Sequence, residues 1–183
     1  MHGLIRKQEM RLKMESISLV QVFVSVLFGV SSASKLSKLS SFRDTLRQLR
    51  IVPLWAKRAG AAIPLAELAV CVLLWFPMTL RFGAALALLL LCSFAWGAWR
   101  AKGRMVIYQW FGGLISEKFS MALYTRHFVL FLLSVYLLAS PVSSARASAS
   151  FGEIALAVLS SVGILVIYAL GLTLRQYHQL YQE

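Results

Sequence analysis

Apolar residues come in five long runs: Ser16–Ser34, Ala59–Phe76, Phe82–Trp99, Met121–Ala139 and Ile154–Leu174. Each run is near the ~20 residues that a helix needs to cross the hydrocarbon core of a bilayer. The pattern predicts an all-α, polytopic membrane bundle. A basic flank at 1–15 leads into a four-helix core at 16–139. A fifth span and a polar tail occupy 140–183.

The first connector carries its own pattern. Leu36, Leu39, Phe42, Leu46, Leu49 and Ile51 recur at helical spacing, with Lys38, Arg43, Arg47 and Arg50 between them. That alternation predicts an amphipathic helix lying in the membrane interface. Val52-Pro53 ends it, because the residue before a proline disfavours helix. The short turn from Pro77 to Arg81 makes spans two and three an antiparallel hairpin. A longer connector, Arg100 to Ser120, precedes the fourth span, and a Ser/Ala-rich turn, Ser140 to Ser150, precedes the fifth.

Composition agrees with this reading. Of 183 residues, 59% are hydrophobic and 14% charged, with a mean hydropathy of +0.72, which leaves little chain for a separate soluble domain. The net charge of +12 would suggest nucleic acid in a soluble protein. Here the basic residues flank spans, where orientation and anionic headgroups account for them. No nucleic-acid-binding motif is present. Arg6, Lys7, Arg11 and Lys13 precede the first span, which resembles a signal-anchor more than a cleaved signal. More positive residues fall on the face shared by the first and third connectors and the C-terminus. The positive-inside rule would place that face in the cytoplasm.

Two ionisable residues, Glu67 and Arg126, interrupt the apolar runs. A charge within a span costs a few kcal/mol on insertion scales and usually has a partner. At ~1.5 Å per residue, Glu67 lies ~12 Å and Arg126 ~9 Å below the same face. A Glu67–Arg126 pair is therefore expected. Lys35 could reach it by snorkelling, beneath the connector at Tyr108, Trp110, Phe111 and Gly112. Two readings compete: a polar pocket for substrate or partner, and a structural ion pair that fixes helix packing. His127 is a candidate for titration near neutral pH, or a packing residue. Trp96, Trp99, Tyr108 and Trp110 suit an interfacial aromatic belt.

Cys71 and Cys92 fall near mid-span. They read as small packing residues, or as a redox pair if their helices abut. There is no C-x-x-C, no zinc spacing and no G-x-S-x-G. The residues show no enzyme, metal site or cofactor site.

Several segments together resemble the MauE family of methylamine utilisation proteins, within a wider MauE/DoxX group of redox-associated membrane proteins. They are Phe28-Gly-Val-Ser-Ser-Ala-Ser-Lys35-Leu36, Phe42 to Leu54, Ile63-Pro64-Leu-Ala-Glu67-Leu, and Tyr124-Thr-Arg126-His127. The resemblance implies a small helical bundle in the bacterial plasma membrane. It also implies a role in maturing a partner protein, for MauE the disulfide-rich small subunit of methylamine dehydrogenase. The family's C-x-C-F-G motif falls at Tyr108-Gln109-Trp110-Phe111-Gly112, where Phe-Gly remains and both cysteines are absent. The sulfur nucleophile for disulfide exchange is thus missing at that place. His127 stands where the family has asparagine. Lys35, Glu67, Phe111, Gly112 and Arg126 carry over as scaffold or pocket positions. The resemblance puts this connector outside the cell, the reverse of the orientation from charge. The function expected is that of an accessory protein with a membrane or secreted partner. The alternatives are a redox protein using Cys71 and Cys92 or a quinone, and a small-molecule or lipid carrier.

Overall fold

The computed structural model describes residues 2–48, 53–100, 108–109, 116–117, 121–140 and 151–180. These form helices α1 (His2–Ser37), α2 (Leu39–Gln48), α3 (Pro53–Trp75), α4 (Leu80–Arg100), α5 (Met121–Ala139) and α6 (Phe151–Leu180). A 3₁₀ turn, Pro77–Thr79, joins α3 to α4. Between α4 and α5, β1 (Tyr108–Gln109) pairs antiparallel with β2 (Ser116–Glu117). The chain is an all-α bundle of membrane type. Among the described residues, three stretches are long and apolar enough to span a bilayer: Ser16–Ser37, Lys57–Trp75 and Pro77–Gly97. Shorter apolar stretches occupy Thr125–Ala139 in α5 and Ala155–Ile164 in α6.

Several helices run past the apolar residues that announced them. The basic flank is helical from His2, α3 starts at Pro53 rather than near Ala59, and α6 continues through the polar tail to Leu180. Helical hydrogen bonding is internal to the segment, so it need not stop where the hydrophobic run does. Proline suits the first turn of α3, where its missing N–H would have had no helical partner. The interfacial helix is confined to Leu39–Gln48. Leu49, Arg50 and Ile51, which the pattern placed in it, lie outside the described residues.

The helices close a ring: α1 packs on α3, α3 on α4, α4 on α5, and α5 back on α1. Ile17, Val24, Phe28, Val70, Leu74, Ala84, Leu90, Leu130 and Leu137 fill its interior. α2 lies against α3, with Phe42 and Leu46 buried over Ala59 and Ile63. α6 stands outside the ring and packs on α1. Large apolar side chains such as Leu132, Leu159 and Ile167 face outward, as a lipid-facing surface requires.

Small residues set the closest approaches, as is common between helices in lipid. A Cβ at Gly83 would stand 2.9 Å from the Leu74 backbone nitrogen and 3.1 Å from the Leu73 carbonyl carbon. α4 therefore rests on α3 through a position that tolerates no side chain. Gly97, on the same helix, has nothing within 4 Å of such a Cβ. Gly83→Ala should push the helices apart and destabilise the bundle by about 1–3 kcal/mol. Gly97→Ala should be neutral, or gain up to ~1 kcal/mol of helix propensity. Reversible unfolding in mixed micelles measures both.

Candidate functional site

The candidate site grows out of the seam between α1 and α3. Along α1, Gln21, Ser25, Ser32 and Lys35 recur at helical spacing on one buried face. Hydrocarbon offers no hydrogen bonds, so polar groups on this face must find partners in the protein. The Gln21 side-chain amide donates to the Leu74 carbonyl. The Ser25 hydroxyl donates to the Cys71 carbonyl at 3.0 Å, and Ser32 to the Pro64 carbonyl at 2.8 Å. Partner numbers fall along α3 as they rise along α1, so the seam is antiparallel. Its spacing fixes the relative height of the two helices.

Lys35 and Glu67 meet in this seam as an ion pair. The ammonium donates to Glu67 Oε1, and Ser31 donates to the same oxygen at 3.2 Å. Lys35 is 1% exposed and Glu67 is not exposed at all. The level where Ser32 meets Pro64 explains how they reach one another. Each residue lies three positions from that level, in opposite directions, which separates their Cα atoms by roughly 9 Å along the bundle. Cα–Cβ bonds tilt toward the N-terminus of their own helix. In antiparallel helices Lys35 therefore leans into the membrane and Glu67 leans back toward the connector. The long lysine stem closes the rest of the gap.

Aromatic rings complete the enclosure of the ammonium. Its nitrogen lies 4.5 Å from the centroid of Phe94 on α4 and 5.4 Å from that of Phe42 on α2. Both distances suit a cation–π contact. Phe94 in turn meets the His127 ring of α5 edge-on, at 6.4 Å and 80°. Arg126, the neighbour of His127, lies within electrostatic range of Lys35. Side chains from five helices thus converge at one end of the ring.

The partner shown for Glu67 is Lys35, with Ser31 on the same oxygen; Glu67 Oε2 is buried with no hydrogen-bond partner among the described residues. Arg126 approaches the cluster from α5, on the Lys35 side. Cys71 and Cys92 are both free thiols. Cys71 lies in the α1–α3 seam, with its sulfur 3.4 Å from Ser25 Oγ. Cys92 is exposed and faces a groove toward α5. Leu91, Cys92 and Ala95 form one wall of that groove, and Thr125, His127, Phe128 and Phe131 the other; its volume is about 530 Å³. Tyr108 belongs to β1, which lies against α2. Trp110, Phe111 and Gly112 lie outside the described residues. Among the described residues no group of three or more His, Cys, Asp or Glu could hold a metal ion.

Residues 13–140 match the family of the methylamine utilisation protein MauE. The chain belongs to the MauE family. The matched region takes in the helices of the ring and ends where α5 does, so both charged residues of the clasp fall within the MauE portion. α6 lies beyond it. No curated protein and no solved structure matches the chain.

Some members of the site had left no mark in the sequence. Phe94 looks like any other aromatic of an apolar run, and only the fold places it between Lys35 and His127. Ser25 and Ser32 had a usable signal: with Gln21 and Lys35 they form a polar stripe at helical spacing within a span.

Removing one member of the pair leaves an uncompensated charge in an apolar interior. Lys35→Met and Glu67→Leu should each destabilise the bundle by about 3–5 kcal/mol. The double variant should lose clearly less than the sum, because it leaves no lone charge. Denaturant titration of all four proteins in micelles reads the coupling. Phe94→Leu should cost a further ~0.5–2 kcal/mol through the lost cation–π contact.

Proposed function

We propose that this MauE-family chain is a multi-pass accessory protein of the bacterial plasma membrane. It assists the maturation, processing or export of a partner protein and supplies no thiol chemistry of its own. By family resemblance, the partner is a secreted subunit of the methylamine dehydrogenase type. The observation that carries this reading is the sealed Lys35–Glu67 clasp within the matched region. An ion pair whose two residues are 1% and 0% exposed offers almost nothing for a substrate to displace. It fixes how α1 and α3 pack, and buried pairs are best attested in such specificity roles.

The two cysteines favour the same reading. Their thiols face different helices, Cys71 toward α1 and Cys92 toward α5. The connector position where the family carries its motif has Tyr108 and Trp110 in place of sulfur. A carrier built on the charged residues would need a cavity that reaches them. The groove beside α5 is lined by His127 but not by Glu67 or Lys35.

Affinity purification in a mild detergent should capture a stoichiometric protein partner from the native membrane. The Cys71→Ser/Cys92→Ser double variant should capture it equally well. Loss of capture in that variant would return the cysteines to the mechanism. A solitary chain that still restores the phenotype of a deletion strain would remove the accessory role.

A further inference from the structure

On α2, Arg43 is a cation held in place by its neighbours and answered by none of the described residues. Its stem crosses α3 at Gly60, where a Cβ would stand 2.6 Å from Arg43 Cγ and 3.3 Å from Nε. The missing side chain at Gly60 is what gives the arginine its seat. Nε is buried there with no hydrogen-bond partner among the described residues, whereas the two terminal nitrogens are not enclosed. Asp44 is the single acidic residue of α2, and it pairs with Arg47 at 3.3 Å rather than with Arg43.

The depth of Arg43 decides what answers it. The first span ends at Ser37 and the second begins at Lys57, so α2 lies where both leave the hydrocarbon. Gly60 is three residues inside the second span, ~4.5 Å below that boundary. An arginine anchored at this level carries its tip to the phosphates of the headgroup layer by snorkelling. The charges around it have the same sign. Lys38 and Lys57 are exposed, one beside each span end. Arg47 stands one turn along α2 from Arg43 and is also exposed. Basic side chains gathered at this depth attract anionic lipid. A planar guanidinium also offers a phosphate paired donors. An acidic protein segment would have to enter the headgroup layer to reach the same donors, whereas a lipid phosphate already lies there.

We propose that Arg43, seated across Gly60, binds the phosphate of one anionic phospholipid at the α2–α3 junction. Lys57, one turn nearer the water on α3, adds to the attraction. The lipid bears on the clasp through α2. Phe42, the residue beside Arg43, lies over the Lys35 ammonium. A phosphate that holds Arg43 against α3 therefore holds Phe42 over the ion pair. The site is structural, and it stands whether or not the accessory role does, because its test reads lipid rather than partner.

Native mass spectrometry of the detergent-purified chain, given equimolar dioleoyl phosphatidylglycerol and dioleoyl phosphatidylcholine, provides the test. One retained lipid is expected, with about fivefold preference for phosphatidylglycerol, the ratio that one basic side chain confers near a membrane surface. Arg43→Gln should bring the preference close to unity. Gly60→Ala keeps every charge but displaces the Arg43 stem, so it should also lower the preference while leaving the far-ultraviolet circular dichroism unchanged. Arg81→Gln removes the same charge at the opposite end of α3 and α4, and should leave the preference intact. Equal retention of the two lipids by the wild-type chain would overturn the proposal. So would a preference that survives Arg43→Gln or Gly60→Ala, or one that falls as far in Arg81→Gln. Displacement of the lipid by inorganic phosphate would assign the site to a free anion instead, and an acidic protein retained in its place would assign it to a partner.

Discussion

The bilayer's inability to solvate polar groups governs the α1–α3 seam. Hydroxyls, amides and charges placed there draw their partners from within the protein, although Gln21 Oε1 and Glu67 Oε2 have none among the described residues. Gln21, Ser25, Ser32 and Lys35 are answered by three α3 carbonyls and one carboxylate. Each bond is worth little alone, on the order of 0.6 kcal/mol between helices in lipid. Their common register matters more. A slip of one residue would misalign all of them at once and strand a lysine and a glutamate in hydrocarbon. The seam therefore selects one relative height for two helices that apolar packing alone would let slide.

From that fixed height the rest of the connector end follows. Lys35 and Glu67 close on one another because antiparallel helices tilt their side chains toward a common level. Phe42 and Phe94 bring α2 and α4 onto the ammonium, and His127 extends the contact to α5. Gly83 performs the matching task at the other end, where α4 meets the end of α3 without a side chain between them. One end of the bundle is thus organised by charge and the other by steric fit. The α4–α5 groove opens beside the charged end.

The family match gives this arrangement its context. The residues of the clasp lie within the MauE portion, whereas α6 follows it and touches the ring through α1. A scaffold kept by intramembrane polar contacts can retain its shape while the connector above it changes chemistry, because the contacts run between helices.

Hydrophobic periodicity in the sequence was sufficient for the all-α membrane class, the antiparallel α3–α4 hairpin and the amphipathic character of α2. The cost of charge in a span was sufficient to single out Glu67 and Arg126. Sequence spacing reports one helix at a time, however, and cannot say which polar residue answers which. Lys35 stood at a span end within snorkelling reach of the expected pair, but spacing alone did not make it the partner of Glu67. Only the packed bundle paired it with Glu67, which lies on the neighbouring helix one lysine length deeper. Phe94 and the α4–α5 groove are likewise properties of helices brought side by side. The sequence by itself determined which residues were too polar for lipid. The tertiary structure decided their partners, since in a bilayer those partners come from whichever helix packs alongside.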